Sequence, residues 1–222
     1  MSVDVTEAQA RDAVVAAVRR LDTLGMNRGS TGNASHRWAL DGIDGMLITP
    51  TGMGADELQP GDLVWVGTDG RVRGAWQPSS EWHFHQAVYR TRPELQAVVH
   101  THSTHATALA CLDRPLPAVH YMVAVAGGDD VPLVPYFTFG SEQLSQAVGA
   151  AMAGRDACLL AHHGLVAAGV NMGRAMKVVQ EIESLCEVYL KALAVAEPVL
   201  LSAEQMAEVI TKFKAYGKTA RR

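Results

Sequence analysis

The chain has 222 residues, 48% of them hydrophobic and 19% charged, a length and balance suited to one domain, residues 1–222, with a substantial core. Its formal net charge of −4 supplies no basic face for a polyanion, so a nucleic-acid partner is not expected. The chain opens on Asp4 and Glu7 instead of a basic leader, and no apolar run approaches the about 18 residues of a membrane span, which together predict neither signal peptide nor anchor. Cys111, Cys158 and Cys186 form no CxxC pair and lie among apolar neighbours. They read as buried thiols in a reducing cytoplasm.

In chain order, Val14, Ala17, Val18, Leu21 and Leu24 recur at helical spacing and predict a helix over Thr6–Leu24, stopped by Gly25. The polar stretch Asn27–Asn33 reads as a loop. Strands are expected at Ala34–Ala39, Met46–Ile48 and Leu63–Gly67, and Thr68-Asp69-Gly70 turns the last of these into Val72–Ala75. Pro78-Ser79-Ser80 starts a helix, with Ser80 as the expected cap, and Pro93 ends it. Val98–His102 predicts a strand that runs into a helix near Thr104–Leu112. A further helix follows at Ser141–Ala153, then an apolar strand at Ala157–Ala161. Asn171 caps the longest helix, Met172–Val195, with Val178, Ile182, Leu185 and Tyr189 on its buried stripe. Ser202 with Gln205 three residues on is a capping-box pattern for a last helix closed by Gly217, after which Lys218–Arg222 form a basic, solvated tail. Helices alternate with strands joined by hairpin-length turns, so the expected class is α/β: a mixed, mostly antiparallel central sheet flanked by helices.

Chemistry concentrates in the nine histidines. On one strand, His100 and His102 leave the same face roughly 7 Å apart at the backbone, a spacing from which two imidazoles converge on one zinc. His162 and His163 stand where an apolar strand breaks at Gly164, and one of the two is a candidate third ligand; local sequence does not choose between them. Glu81 lies in the first turn of a helix, where the dipole favours a carboxylate in any case. A carboxylate beside a three-histidine zinc can occupy the fourth position and also serve as base. His85, four residues after Glu81, and His105 are weaker ligand candidates; His36 and His120 read as structural or substrate-side. Gly29–Asn33, Thr49–Gly52 and Ser79-Ser80 are small, polar segments of the kind whose backbone amides and hydroxyls cradle an anion.

Read in order, Gly32-Asn33-Ala34-Ser35, Ile48-Thr49-Pro50-Thr51-Gly52, Pro78-Ser79-Ser80-Glu81, His100-Thr101-His102 and His162-His163-Gly164 resemble the class II aldolase/adducin family. His120-Tyr121-Met122, Ala126-Gly127-Gly128, Pro135-Tyr136, Thr138-Phe139-Gly140 and Lys212–Gly217 extend the resemblance from about Leu24 to Gly217. It implies a three-layer fold, one Zn(2+) per subunit, and a homotetramer with its sites at subunit interfaces. The implied reaction is reversible cleavage of a 1-phosphorylated ketose, such as L-fuculose 1-phosphate, to dihydroxyacetone phosphate and an aldehyde. Carried over by position, the metal ligands are His100, His102 and His163, with Glu81 as ligand and base. Tyr121 falls on a tyrosine that reaches a neighbouring subunit's site and protonates the aldehyde oxygen. Ser30, Asn33, Thr51, Gly52, Ser79 and Ser80 fall on phosphate-binding positions, and Tyr216 on a tyrosine that closes over the substrate from a C-terminal segment whose end, residues 217–222, is expected to be mobile. His100-Thr101-His102-Ser103 also resembles the family's pentulose-5-phosphate 4-epimerase branch, and a non-enzymatic scaffold is the alternative of another class.

Overall fold

The computed structural model describes residues 5–215. Helix α1 (Glu7–Thr23) begins with a reciprocal cap in which Thr6 and Gln9 each accept the other's backbone N–H, and it lays Val14, Val15, Ala17 and Leu21 into the core. Strands β1 (Asn33–Arg37), β2 (Gly45–Ile48), β3 (Val64–Gly67) and β4 (Val72–Arg73) make an antiparallel meander. Helix α2 (Trp82–Thr91) leads to β5 (Ala97–Thr101) and α3 (Thr104–Cys111). A 3₁₀ stretch, Tyr121–Ala126, and β6 (Leu133–Val134) precede α4 (Glu142–Ala151). The chain then runs through β7 (Ala157–Leu160), β8 (Gly164–Gly169), α5 (Met172–Leu193) and α6 (Ala203–Ala215). The eight strands form one sheet in the order β4-β3-β2-β1-β5-β8-β7-β6, antiparallel throughout except for the β6–β7 pair.

Alternation along the strands sorts the core onto two faces. Ala97 and Val99 of β5, Leu165 and Ala167 of β8, and Leu47 of β2 join the cluster under α1, α3, α5 and α6. Val98, Val166, Ala168, Met46 and Ile48 join the cluster under α2 and α4. The result is a three-layer α/β arrangement, as the sequence predicts. Val178, Ile182, Leu185 and Tyr189 are all buried along α5, whose Asn171 cap accepts from the Arg174 N–H.

The differences from the sequence expectations are local. Gly164–Gly169 carried no predicted element, yet it forms β8 in the interior of the sheet, paired with β5 from Ala97↔Gly169 to Thr101↔Leu165. A central strand buried on both faces loses the alternation by which strands are recognised. Ser80 is not the cap of α2: Glu81 holds that position and makes no side-chain capping bond. Residues 77–79 instead run extended beside the end of β2, with Thr51 N donating to Gln77 O and Ser79 N to Thr49 O, both at 3.0 Å. β5 stops at Thr101, so His102 lies one residue beyond it, and Cys111 is exposed while Cys158 and Cys186 are buried. Tyr216, Gly217 and the basic tail lie outside the described residues. Among the described residues no helix is long and apolar enough to cross a membrane.

Candidate metal centre and substrate cleft

His100 leaves β5 on the α2 face, fully buried, with Phe84 of α2 edge-on to its ring at 5.4 Å. Thr101, pointing the other way, has its hydroxyl 2.6 Å from Met26 O and 2.7 Å from the Asn27 side-chain amide, tying the strand end to the loop after α1. His102 follows directly, before the helix α3 begins. The third imidazole arrives from the β7–β8 turn. Gly164 opens β8 so close to β5 that a Cβ there would lie 2.4 Å from Thr101 O, and only glycine allows the turn to press against the strand end. His162 turns the chain at φ 54°, which sends His162 and His163 in different directions. His163 joins His100 and His102, whereas His162 lies edge-on to Tyr136 at 6.2 Å.

The three rings meet pairwise at 4.7–4.9 Å between centroids and 71–76° between planes. Their Nε2 atoms converge with the Glu81 carboxylate: His100 to His102 is 3.0 Å, His100 to Glu81 Oε2 is 3.3 Å, and His163 to Glu81 Oε1 is 3.1 Å. A tetrahedral zinc with ligand bonds of about 2.0–2.1 Å requires donor atoms about 3.3 Å apart. The measured edges match that spacing, and all four donors lie within 4.8 Å of one another. Two further features fit a cation. Buried Glu81 Oε1 receives no well-aligned hydrogen bond despite its nearness to His163, so an anionic oxygen is left for another partner. His100 Nδ1–H donates to Leu165 O at 3.0 Å, which leaves the Nε2 lone pair aimed into the cluster.

Electrostatics point the same way. Burial pushes the His100 imidazole down to about 3, against the pull of Glu81, and burial together with His163 lowers His102 as well. Neutral imidazoles are the form that ligates metal. Burial disfavours the Glu81 carboxylate, but His100, His163 and the Asn33 amide outweigh it and hold the group below the usual carboxylate range.

Burial also pushes His85 down to about 3 from 6.5. With two imidazoles whose folded pKa values are depressed, the unfolded chain binds more protons than the native protein below about pH 6.5. Their contribution to stability is complete above that pH and declines as the pH falls toward 3, by up to about 1.4 kcal/mol per pH unit from each. Urea unfolding of metal-free protein is expected to show a clearly lower midpoint at pH 5 than at pH 7. An unchanged midpoint would mean that these rings titrate as if exposed.

The cluster opens onto a cleft of about 320 Å³. Ser30, Gly32, Asn33, Thr51, Gly52, Ser79 and Ser80 line it beside Glu81, His102 and His163. The three small, polar segments of the sequence therefore meet around one space. Backbone pairing of residues 49–51 with 77–79 joins two of them, and Ala34 N donating to Thr49 Oγ1 at 3.3 Å brings in the third. Residues 12–190 match the family model described as Class II Aldolase and Adducin N-terminal domain.

The chain belongs to the class II aldolase and adducin family.

It is 49% identical over 210 residues to a 5-methylthioribulose-1-phosphate/5-deoxyribulose-1-phosphate aldolase of Rhodospirillum rubrum, covering 95% of this chain and 93% of the relative. It is 47% identical over 195 residues to an L-fuculose phosphate aldolase of Escherichia coli K12, covering 87% and 89%. Among solved structures, an L-fuculose 1-phosphate aldolase superposes with a TM-score of 0.89 at 37% identity, covering 95% of this chain and 98% of that one.

Within this class II aldolase fold the remaining histidines take other work. His105 pairs with Glu183 of α5, which also accepts the His105 and Ala106 backbone N–H groups and so caps α3. His36 Nδ1 donates to Arg37 O, and His120 accepts from Met122 N at the start of the 3₁₀ stretch. His85 lies beneath the cluster, outside it. Tyr121 is half exposed and does not line the cleft of its own chain. Reasoning from residue types gave no role to Tyr136, Phe137 or Phe139, which form the cleft's other wall together with His162, one of the two candidates for the third ligand. A signal was present at Gly140: it adopts φ 73°, and a Cβ there would meet Ser80 O at 3.1 Å, so this glycine lets the aromatic loop close against the Ser79-Ser80 segment.

Proposed function

We propose that this protein is a zinc-dependent aldolase that reversibly cleaves a 1-phosphorylated ketose to dihydroxyacetone phosphate and a short aldehyde. The observation that carries the reading is the convergence of three imidazoles and one carboxylate at the edge of a cleft lined with hydroxyls and small residues. When bound, the divalent cation supplies Lewis-acid polarisation of the substrate oxygens and offsets the negative charge that develops as the carbon–carbon bond breaks. His100, His102, His163 and Glu81 hold it. Ser30, Asn33, Thr51, Gly52, Ser79 and Ser80 bind the phosphate, which fixes the distance from the phosphate to the reacting carbons. In the condensation direction Glu81 removes a proton from the carbon next to the carbonyl of dihydroxyacetone phosphate, and Tyr121 of a neighbouring copy donates its phenolic proton to the aldehyde oxygen as the new bond forms. Cleavage runs the same transfers backward. The position of Tyr121 outside its own cleft supports an assembly, read here as a homotetramer, in which sites are completed between subunits. Tyr216, from the C-terminal segment, closes over the bound substrate.

L-fuculose 1-phosphate, giving L-lactaldehyde, is the substrate this reading favours. The 49% identity to a relative that acts on 5-methylthioribulose and 5-deoxyribulose phosphates supports a second one: a five-carbon ketose with a methyl or methylthio tail. Tyr136, Phe137 and Phe139 give the cleft an apolar wall that suits either tail. Initial rates over L-fuculose 1-phosphate, 5-deoxyribulose 1-phosphate and 5-methylthioribulose 1-phosphate, with dihydroxyacetone phosphate measured as product, test both. The expected result is free dihydroxyacetone phosphate from at least one ketose. Interconversion of pentulose 5-phosphates without its release would identify a 4-epimerase, and the absence of bound metal would favour a scaffold.

A further inference from the structure

Behind the cleft a single file of polar groups runs from Glu81 into the core between β1 and α2. Asn33 Nδ2 donates to Glu81 Oε2 at 2.9 Å, and Asn33 Oδ1 lies 2.5 Å from His85 Nε2. His85 Nδ1 lies 2.7 Å from Ser35 Oγ, which lies 2.8 Å from Tyr89 OH. Asn33, Ser35, His85 and Tyr89 are all buried, between 0% and 5% exposed, so water does not satisfy these groups.

The direction of every bond in this file follows from its end. An ionised carboxylate only accepts, so the Asn33 amide must turn its N–H toward Glu81 and its oxygen toward His85. That oxygen also only accepts, so His85 must carry its proton on Nε2. His85 Nδ1 is then a lone pair, Ser35 donates to it, and Tyr89 donates to Ser35. Five side chains thus share one polarity, each donor pointing toward Glu81. Burial keeps the imidazole neutral, and a neutral ring is the only form with one donor and one acceptor nitrogen for these two neighbours.

We propose that His85 is a positioning residue for the reaction: its Nε2–H, which the Asn33 oxygen requires and the Ser35 hydroxyl matches at Nδ1, locks the Asn33 amide in the orientation that holds the Glu81 carboxylate for proton transfer. Alternating donors and acceptors strengthen one another in a low-dielectric interior, and an amide with no donor at its oxygen would hold the carboxylate less firmly. The register of the elements makes the file possible. Asn33 and Ser35 are two apart on β1 and so share the face toward α2, while His85 and Tyr89 are four apart on α2 and so share the face toward β1. The proposal rests on the reading of Glu81 as the base.

The test uses the full-length, zinc-loaded protein. Histidine-selective ¹³C and ¹⁵N spectra of wild type and His85→Phe assign the His85 signals by difference. The expected result between pH 6 and 8 is a neutral ring protonated at Nε2. A ring protonated at Nδ1, or an imidazolium, would overturn the proposal, and His85→Gln supplies the difference spectrum should His85→Phe not fold. In cleavage assays His85→Phe is expected to lower kcat about 10–100-fold, the usual range for loss of a partner that orients a ligating group, with KM within about 3-fold. His85→Gln, whose side-chain N–H reaches the place of Nε2–H, is expected to recover kcat to within about 5-fold of wild type. Normal kcat in His85→Phe, or equal losses in both variants, would show that His85 serves the core alone. Glu81→Gln is assayed alongside: near-normal turnover there together with a slow His85→Phe would remove the base assignment and the proposal with it, whereas a slow Glu81→Gln with a fast His85→Phe removes only the proposal.

Discussion

Glu81→Gln is expected to lower kcat for cleavage about 10²–10⁴-fold, the usual contribution of a positioned general base. Glutamine has nearly the same shape, and its side-chain oxygen can still accept from Asn33 Nδ2. The carboxylate charge and the ability to take a proton are lost. Glu81 is buried, and His100 and His163 stand within 3.3 Å of its oxygens, so the carboxamide must also place an N–H against one of two imidazole nitrogens. The variant should fold, because Glu81 makes no capping bond for α2 and the helix start is not held by its side chain. Steady-state release of dihydroxyacetone phosphate gives the number, with thermal unfolding as the control for folding. Turnover within a few-fold of wild type would place the base elsewhere.

His102→Ala is expected to weaken zinc binding about 10²–10³-fold. Four-ligand zinc sites bind with about 10–16 kcal/mol in total, so one ligand accounts for about 3–4 kcal/mol. His102 is the appropriate ligand to remove because it lies just outside β5 and is partly exposed, whereas His100 is packed between Phe84 and β8 and its loss would open a cavity in the sheet. Competition with a chelator of known affinity measures the change, and elemental analysis of the purified variant should show substoichiometric metal. Full zinc occupancy with unchanged affinity would mean that the ion is held by other groups. His100 Nε2 and His102 Nε2 face each other at 3.0 Å, a contact that two protonated rings could not make, in accord with the neutral state of the cluster.

Much of this architecture was legible in the order of residues. The caps at Asn171 and Ser202 are local, since each depends on a side chain reaching a backbone group three residues away. The buried stripe of α5 follows from helical periodicity alone. His100 and His102 were recognisable as a pair because the two-residue repeat of a strand fixes their common side, and that geometry survives even though the strand ends one residue early. Glu81 was less legible, because a carboxylate near a helix start has an ordinary explanation in the helix dipole. Only its missing cap bond and its three histidine neighbours show that it belongs to the cluster.

By itself, then, the sequence determined the class of fold, most of its elements and the residue types able to bind a metal beside an anion cradle, because these depend on periodicity and on contacts between near neighbours. Tertiary structure alone decided the identity of β8, the turn that sends His163 and not His162 into the cluster as the resemblance had implied, the aromatic wall of the cleft, and the file from Tyr89 to Glu81. Each of these depends on groups far apart in the chain: β8 is recognised by its pairing with β5, the turn by the close approach of Gly164 to Thr101, and the direction of the file by Asn33 meeting a carboxylate 48 residues away.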